Sequence, residues 1–182
     1  MSGLIWRNFR SISNKHALRT LYCTLIRPHL EYCTVTFNSI SNYQEVRIER
    51  VQRRFLNFMH KALNGHNDNV PEYVDLCDLY KLSPLSVRRT VNDCLFLHKH
   101  FHSHYSLTDA NPFSLHVPVR RTRLANEHIL HVPRSRVEVT KRGFVSRISS
   151  TYNGLHGRCD VFGVASLASF RTQIYSAINH SA

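Results

Sequence analysis

Near the front of this chain, apolar residues keep helical phase across a proline, and that combination restricts the fold more than any other feature. In the stretch Leu25 to Phe37, LIRPHLEYCTVTF, Pro28 removes a backbone donor and sets its ring against the carbonyl four residues earlier. Yet Leu18, Tyr22, Ile26, Leu30, Cys33 and Phe37 fall on a single stripe that covers about a third of a helix at about 100° per residue. Two unrelated helices have no reason to share phase, so the spacing predicts one helix over residues 15–38, kinked at the proline. The restriction on the residue before proline leaves a second arrangement open, a loop at Arg27-Pro28 with a new helix beginning there.

The next segment is more plainly helical. Asn42 with Glu45 resembles a capping box and Gly65 supplies a stop. Between them Ile48, Val51, Phe55, Phe58, Met59 and Ala62 form a broad apolar face. On the neighbouring flank Arg47, Arg50, Arg54 and Lys61 project within about 60° of one another. Glu45, Glu49 and Arg53 show that some charges here can pair at i,i+4, as on an ordinary solvated face. Four cations in line with no acid among them favour contact with phosphates.

Asn64 to Pro71 reads as a polar loop, PEYVDLCDLY as a short helix, and Ser83-Pro84 as the N-cap and first residue of a helix reaching about His102. The inner face of that helix holds Val87, Val91, Cys94, Leu95, His98 and Phe101. Arg88 and Arg89 stand in its first turn, where they oppose the helix dipole, so an acidic partner is expected in the protein or outside it. From Ala110 to Gly143 the pattern changes. SLHVPVRRTR and ILHVPRSRVEV are β-rich but interrupted by Pro118 and Pro133, which confines them to edge strands or extended arms. Ser166 then caps a last helix with Leu167, Phe170, Ile174 and Ile178 facing inward. The fold class is mainly α (α+β), with a helical region over 1–106 and a mixed region with short edge strands and a C-terminal helix over 107–182.

With 182 residues and 42% apolar content the chain can build one core, or two small lobes sharing one. Twenty-four Lys and Arg against twelve Asp and Glu give +12, spread along the chain rather than massed in one block, which points to nucleic acid before membrane. No apolar run is long enough to span a bilayer. MSGLIWRNFRSIS lacks the apolar core and cleavage site of a signal peptide, and the five cysteines form no C-x-x-C pair. An intracellular protein, nuclear or cytoplasmic and not secreted, is expected.

Few residues invite chemistry. Cys94, His98 and His102 recur one helical turn apart and offer three zinc ligands, which would make a small zinc-organised interaction module. Histidines on a last helical turn, where they suit the dipole, are the plainer account. His100 or His104 could serve as the base of a nuclease. Asp75 and Asp78, at i,i+3, more simply face solvent. No glycine-rich phosphate loop, G-x-S-x-G or H-E-x-x-H occurs, and no carboxylates are paired for two metals. The composition calls for no cofactor.

Seven stretches taken in order add a resemblance. They are LIWRNF (Leu4 to Phe9), LRTLYCTLIRPHLEYC (Leu18 to Cys33), IERVQRRFL (Ile48 to Leu56), LYKLSPLSVRRTVND (Leu79 to Asp93), RRTRLANEHILHVPRSR (Arg120 to Arg136), KRGFVSRISSTYNGL (Lys141 to Leu155) and SLASFRTQI (Ser166 to Ile174). In order and spacing they resemble the part of a non-LTR retrotransposon (LINE, jockey-like) reverse transcriptase that follows the polymerase palm. The resemblance covers nearly the whole chain.

It implies a thumb made of the first two long helices, gripping a template–primer backbone with Arg47, Arg50, Arg54 and Lys61 and aided by Arg88 and Arg89. It also implies a tail in which Arg120, Arg121, Arg123, Arg134 and Arg136 hold template RNA. The partners implied are RNA or an RNA–DNA duplex, the palm, or a second copy meeting exposed apolar surface. The family's catalytic aspartates lie upstream of these stretches and the sequence contains no Asp-Asp pair, so the chain is expected not to be an enzyme by itself. Phe37 and Tyr152 stand where the family shows tryptophan, and His156 replaces its proline. Such drift suits a relic of a truncated element as well as a repurposed fragment.

Overall fold

The helix accommodates its proline before reaching it. Lys15–Leu21 (α1) runs into a π-helical turn, Tyr22–Ile26, and on into Arg27–Glu31 (α2), with Pro28 in the first turn of α2. Within the π turn the Arg27 N–H bonds the Tyr22 carbonyl, five residues back. The widened turn loosens the ladder at the point where the proline supplies no donor. The computed structural model describes residues 7, 12, 14–65, 69–102, 111–115, 129–164 and 166–179.

The expected single helix over 15–38 therefore ends at Glu31. Tyr32 turns extended (ψ 126°), Cys33 takes a left-handed conformation (φ 50°), and Thr34–Phe37 (α3) is a separate short helix. Leu18, Tyr22 and Ile26 of the stripe are buried, whereas Cys33 is exposed and Phe37 is 68% exposed. The stripe stops where the helix does.

Asn42–Asn64 (α4) follows. Its capping box is formed by Ser41 and Gln44 rather than by Asn42 and Glu45: the Ser41 hydroxyl accepts from the Gln44 backbone N–H and the Gln44 side-chain Oε1 accepts from the Ser41 N–H at 2.9 Å. Gly65 ends the helix at φ 99°, a conformation that side chains rarely adopt. Tyr73–Tyr80 (α5) ends at Lys81, also left-handed. Leu85–His102 (α6), Glu138–Lys141 (α7), Phe144–Leu155 (α8) and Leu167–Asn179 (α9) complete the order.

The expected edge strands reduce, among the described residues, to one antiparallel bridge between Leu115 and Leu130. The amide of Asn153 takes the place of a neighbouring strand at Leu130, accepting from its N–H at 3.0 Å and donating to its carbonyl at 2.8 Å. Pro133 lacks the donor for further pairing, and the Val-Glu-Val run expected to be strand turns into α7. The molecule is mainly α.

Two compact units result. The first is residues 1–33 with 41–88; the second is 34–40 with 89–182. In the first unit, Leu18, Tyr22, Ile26, Phe55, Leu56, Met59, Leu76 and Tyr80 form the core, with the Tyr22 and Phe55 rings 4.9 Å apart. Gln52 and His60 are polar residues buried with it. Gln52 accepts the Tyr22 hydroxyl at 2.6 Å and donates to the Ser83 carbonyl at 3.1 Å, so its buried amide is satisfied.

In the second unit Val91, Leu97, Ile148, Tyr152, Val161, Phe170 and Ile174 are buried together with Cys94. Its centre is an ion pair. Arg147 of α8 forks onto Asp93 of α6 at 2.9 and 3.2 Å and donates to the Val35 carbonyl at 2.5 Å and the Ser39 hydroxyl at 3.2 Å. Asn38 donates to the same carboxylate at 3.1 Å, and Arg142 to the Ile40 carbonyl at 3.1 Å. These bonds recruit residues 34–40 into the second unit.

Candidate nucleic-acid interface

Helix α4 buries Gln52, Phe55, Leu56, Met59 and His60 and turns Arg47, Arg50, Arg54 and Lys61 outward, all exposed. No carboxylate among the described residues lies within ion-pair distance of these four. Tyr43, 71% exposed in the first turn, carries the Arg47 guanidinium over its ring at 5.7 Å.

The acid nearest the stripe in sequence is engaged elsewhere. Glu49 accepts the Tyr73 hydroxyl and, at 2.9 Å, the N–H of Leu85, and Arg53 lies 5.0 Å from the Tyr73 ring centre. Burial, with the hydrogen bond and charge of Glu49, pushes the Tyr73 hydroxyl far above the usual phenol range. A carboxylate on the first N–H of α6 also meets the dipole there. The outer face of α4 is thereby left cationic.

Other candidates move off the surface. Arg88 forks onto Glu31, one arm at 2.8 Å, and Arg27 reaches the same carboxylate at 3.2 Å. Arg89 is 5% exposed. The acidic partner expected for these two is thus internal for Arg88, and neither side chain is presented to a polyanion. Arg134 and Arg136 are exposed in the second unit, and Arg120, Arg121 and Arg123 lie outside the described residues.

Cys94, His98 and His102 do not converge on a metal position. His98 Nε2 bonds the Val164 carbonyl at 2.5 Å and His102 Nε2 the Val161 carbonyl at 2.7 Å, while the two imidazoles stack 4.3 Å apart. Burial pushes the Cys94 thiol far up, away from the thiolate that zinc requires. Among the described residues no group of three His, Cys, Asp or Glu could hold a metal ion. His100, the proposed nuclease base, bonds the Asn111 amide oxygen at 2.8 Å; His104 lies outside the described residues. Asp75 and Asp78 are both exposed.

Sequence reasoning missed the structural use of the motif residues. Glu31, Arg88, Asp93 and Arg147 all lie within the stretches that carry the resemblance, and each is spent on an internal fork. Asn153 holds Leu130, and the fully buried Tyr152 accepts the Val161 N–H at 3.0 Å through its hydroxyl. The opposite charges stand more than fifty residues apart, so no local spacing could have matched them.

No family model matches the chain, and no curated protein and no solved structure matches it. No helix among the described residues is long and apolar enough to cross a membrane.

Proposed function

We propose that the chain is a non-catalytic nucleic-acid-binding fragment, similar to the thumb and tail of a retrotransposon reverse transcriptase. In this reading it grips the phosphate backbone of RNA or an RNA–DNA duplex without reading sequence. The observation that carries the reading is the outer flank of α4, where Arg47, Arg50, Arg54 and Lys61 stand exposed over a helix whose other face is core. Cations so placed release counterions from a polyanion and give a grip that weakens steeply with salt. The internal forks support the reading by a contrast: Arg88 and Arg147 are ion-paired inside the protein, and among the described residues no carboxylate pairs with the cations on this flank.

Binding to an RNA–DNA hybrid across a salt series tests it. The full chain should show a steep linear fall of log affinity with log salt. Replacing Arg47, Arg50 and Arg54 together by alanine should flatten that slope by about 2 to 3, near 0.9 per lost phosphate contact on a duplex. A flat wild-type response, or a slope indifferent to the triple replacement, refutes the proposal.

A further inference from the structure

Helix α4 carries an aromatic ring in line with its cations. At about 100° per residue Tyr43 falls inside the same sector of about 60° that holds Arg47, Arg50, Arg54 and Lys61. The ring is 71% exposed, and neighbouring Val46 is 57% exposed. Arg47 lies over the ring at 5.7 Å, a cation–π contact that favours one ring orientation, and the 71% exposure of the residue leaves ring surface open to solvent. From Tyr43 to Arg54 the helix rises about 16 Å, enough for cations to track several nucleotides beyond one end-stacked base.

We infer that Tyr43 is a stacking platform for an unpaired base, so that this flank of α4 holds single-stranded nucleic acid in preference to closed duplex. The inference rests on the backbone-binding reading and adds a preference to it. Phosphate contacts alone treat strands of equal charge alike. An open aromatic face distinguishes them, because a base inside a closed duplex already has both of its faces stacked on neighbours. The charge of the stripe selects a polyanion, the ring selects one with accessible bases, and Val46 offers the base edge an apolar neighbour.

The test compares an oligouridine, an abasic strand of equal phosphate count and a closed hairpin duplex, each binding the full chain at low salt. Tyr43→Ala should weaken oligouridine binding by about five- to one-hundred-fold, the range for loss of one base–aromatic stack. It should leave the hairpin, the abasic strand and the salt slope as they were. Tyr43→Phe and Tyr43→Trp should bind oligouridine like the wild type. The residue is 71% exposed, so far-UV circular dichroism of the variants should match the wild type. An equal loss on oligouridine and the abasic strand, or no loss on either, overturns the inference while leaving backbone binding intact. Failure of the wild type to bind any of the three overturns both.

Discussion

Both units of the molecule hold distant segments together with an arginine forked onto a carboxylate, and the two forks sit in unlike surroundings. In the first unit Glu31 receives Arg88 and Arg27, with 16% of its side chain and 12% of that of Arg88 accessible. In the second, Asp93 receives Arg147 and Asn38 with only 2% of its side chain accessible. Burial pushes the Glu31 carboxyl up, but hydrogen bonds and charges from Arg88 and Arg27 outweigh it and hold the group below the usual range. At Asp93 burial is the larger influence. It holds the carboxyl above that range against the hydrogen bonds and charge of Arg147 and the Asn38 bond. In the first fork the attraction of the arginines outweighs burial, and in the second burial outweighs the attraction.

The comparison breaks most sharply by truncation. Asp93→Ala leaves Arg147 buried without its carboxylate and should destabilise the protein by about 3–5 kcal/mol. Glu31→Ala acts at a wetter site and should cost about 1.5–3 kcal/mol. Amide exchange monitored by helix should place the first loss in α8 and the second in α1 and α2. Equal effects, or loss in the opposite unit, would erase the distinction.

Acid sharpens it further, because the two carboxyls shift in opposite directions. Glu31, lowered on folding, contributes stability that is present above its unfolded pKa of about 4.3 and is lost as pH falls through its folded value. Asp93, raised on folding, contributes stability that is complete below about 3.9 and is lost as pH rises through its folded value. Urea midpoints of the wild type relative to Glu31→Gln should therefore fall with acid, and those relative to Asp93→Asn should rise. Parallel trends would count against this account.

A control outside both forks carries the smallest expected effect. Lys81 holds a left-handed conformation at the end of α5 (φ 52°). Lys81→Gly should add about 0.5–1 kcal/mol, read as a raised urea midpoint.

How much of this was legible varies with distance along the chain. Helix α4 was plain, since its apolar face, its stop and its basic flank are all local patterns. Its cap was misplaced by one residue because SNYQE contains two overlapping capping pairs, and composition does not choose between them. The π turn left a faint trace. Leu18, Tyr22, Ile26 and Leu30 are spaced by four at every step, which drifts by about 40° each time in a straight α-helix. A turn with an extra residue takes up that drift. Among the described residues the β expectation shrank to one bridge for a tertiary reason: Asn153, far from Leu130 in sequence, supplies the pairing that a strand would have supplied, while most of SLHVPVRRTR lies outside the described residues. The exposed stripe at the candidate site was legible because it lies on one helix. The fate of Arg88 was not, because its acid comes from another segment.

The seven residues Thr34 to Ile40 have a consequence for dissection. They belong with Arg147 although their chain neighbours on both sides belong to the other unit. The boundary therefore crosses the backbone at three places, and no single scission separates the halves. A piece ending at residue 88 would carry these seven without the guanidinium that fastens them, and a piece starting at 89 would lack the Val35 carbonyl and Ser39 hydroxyl that guanidinium holds.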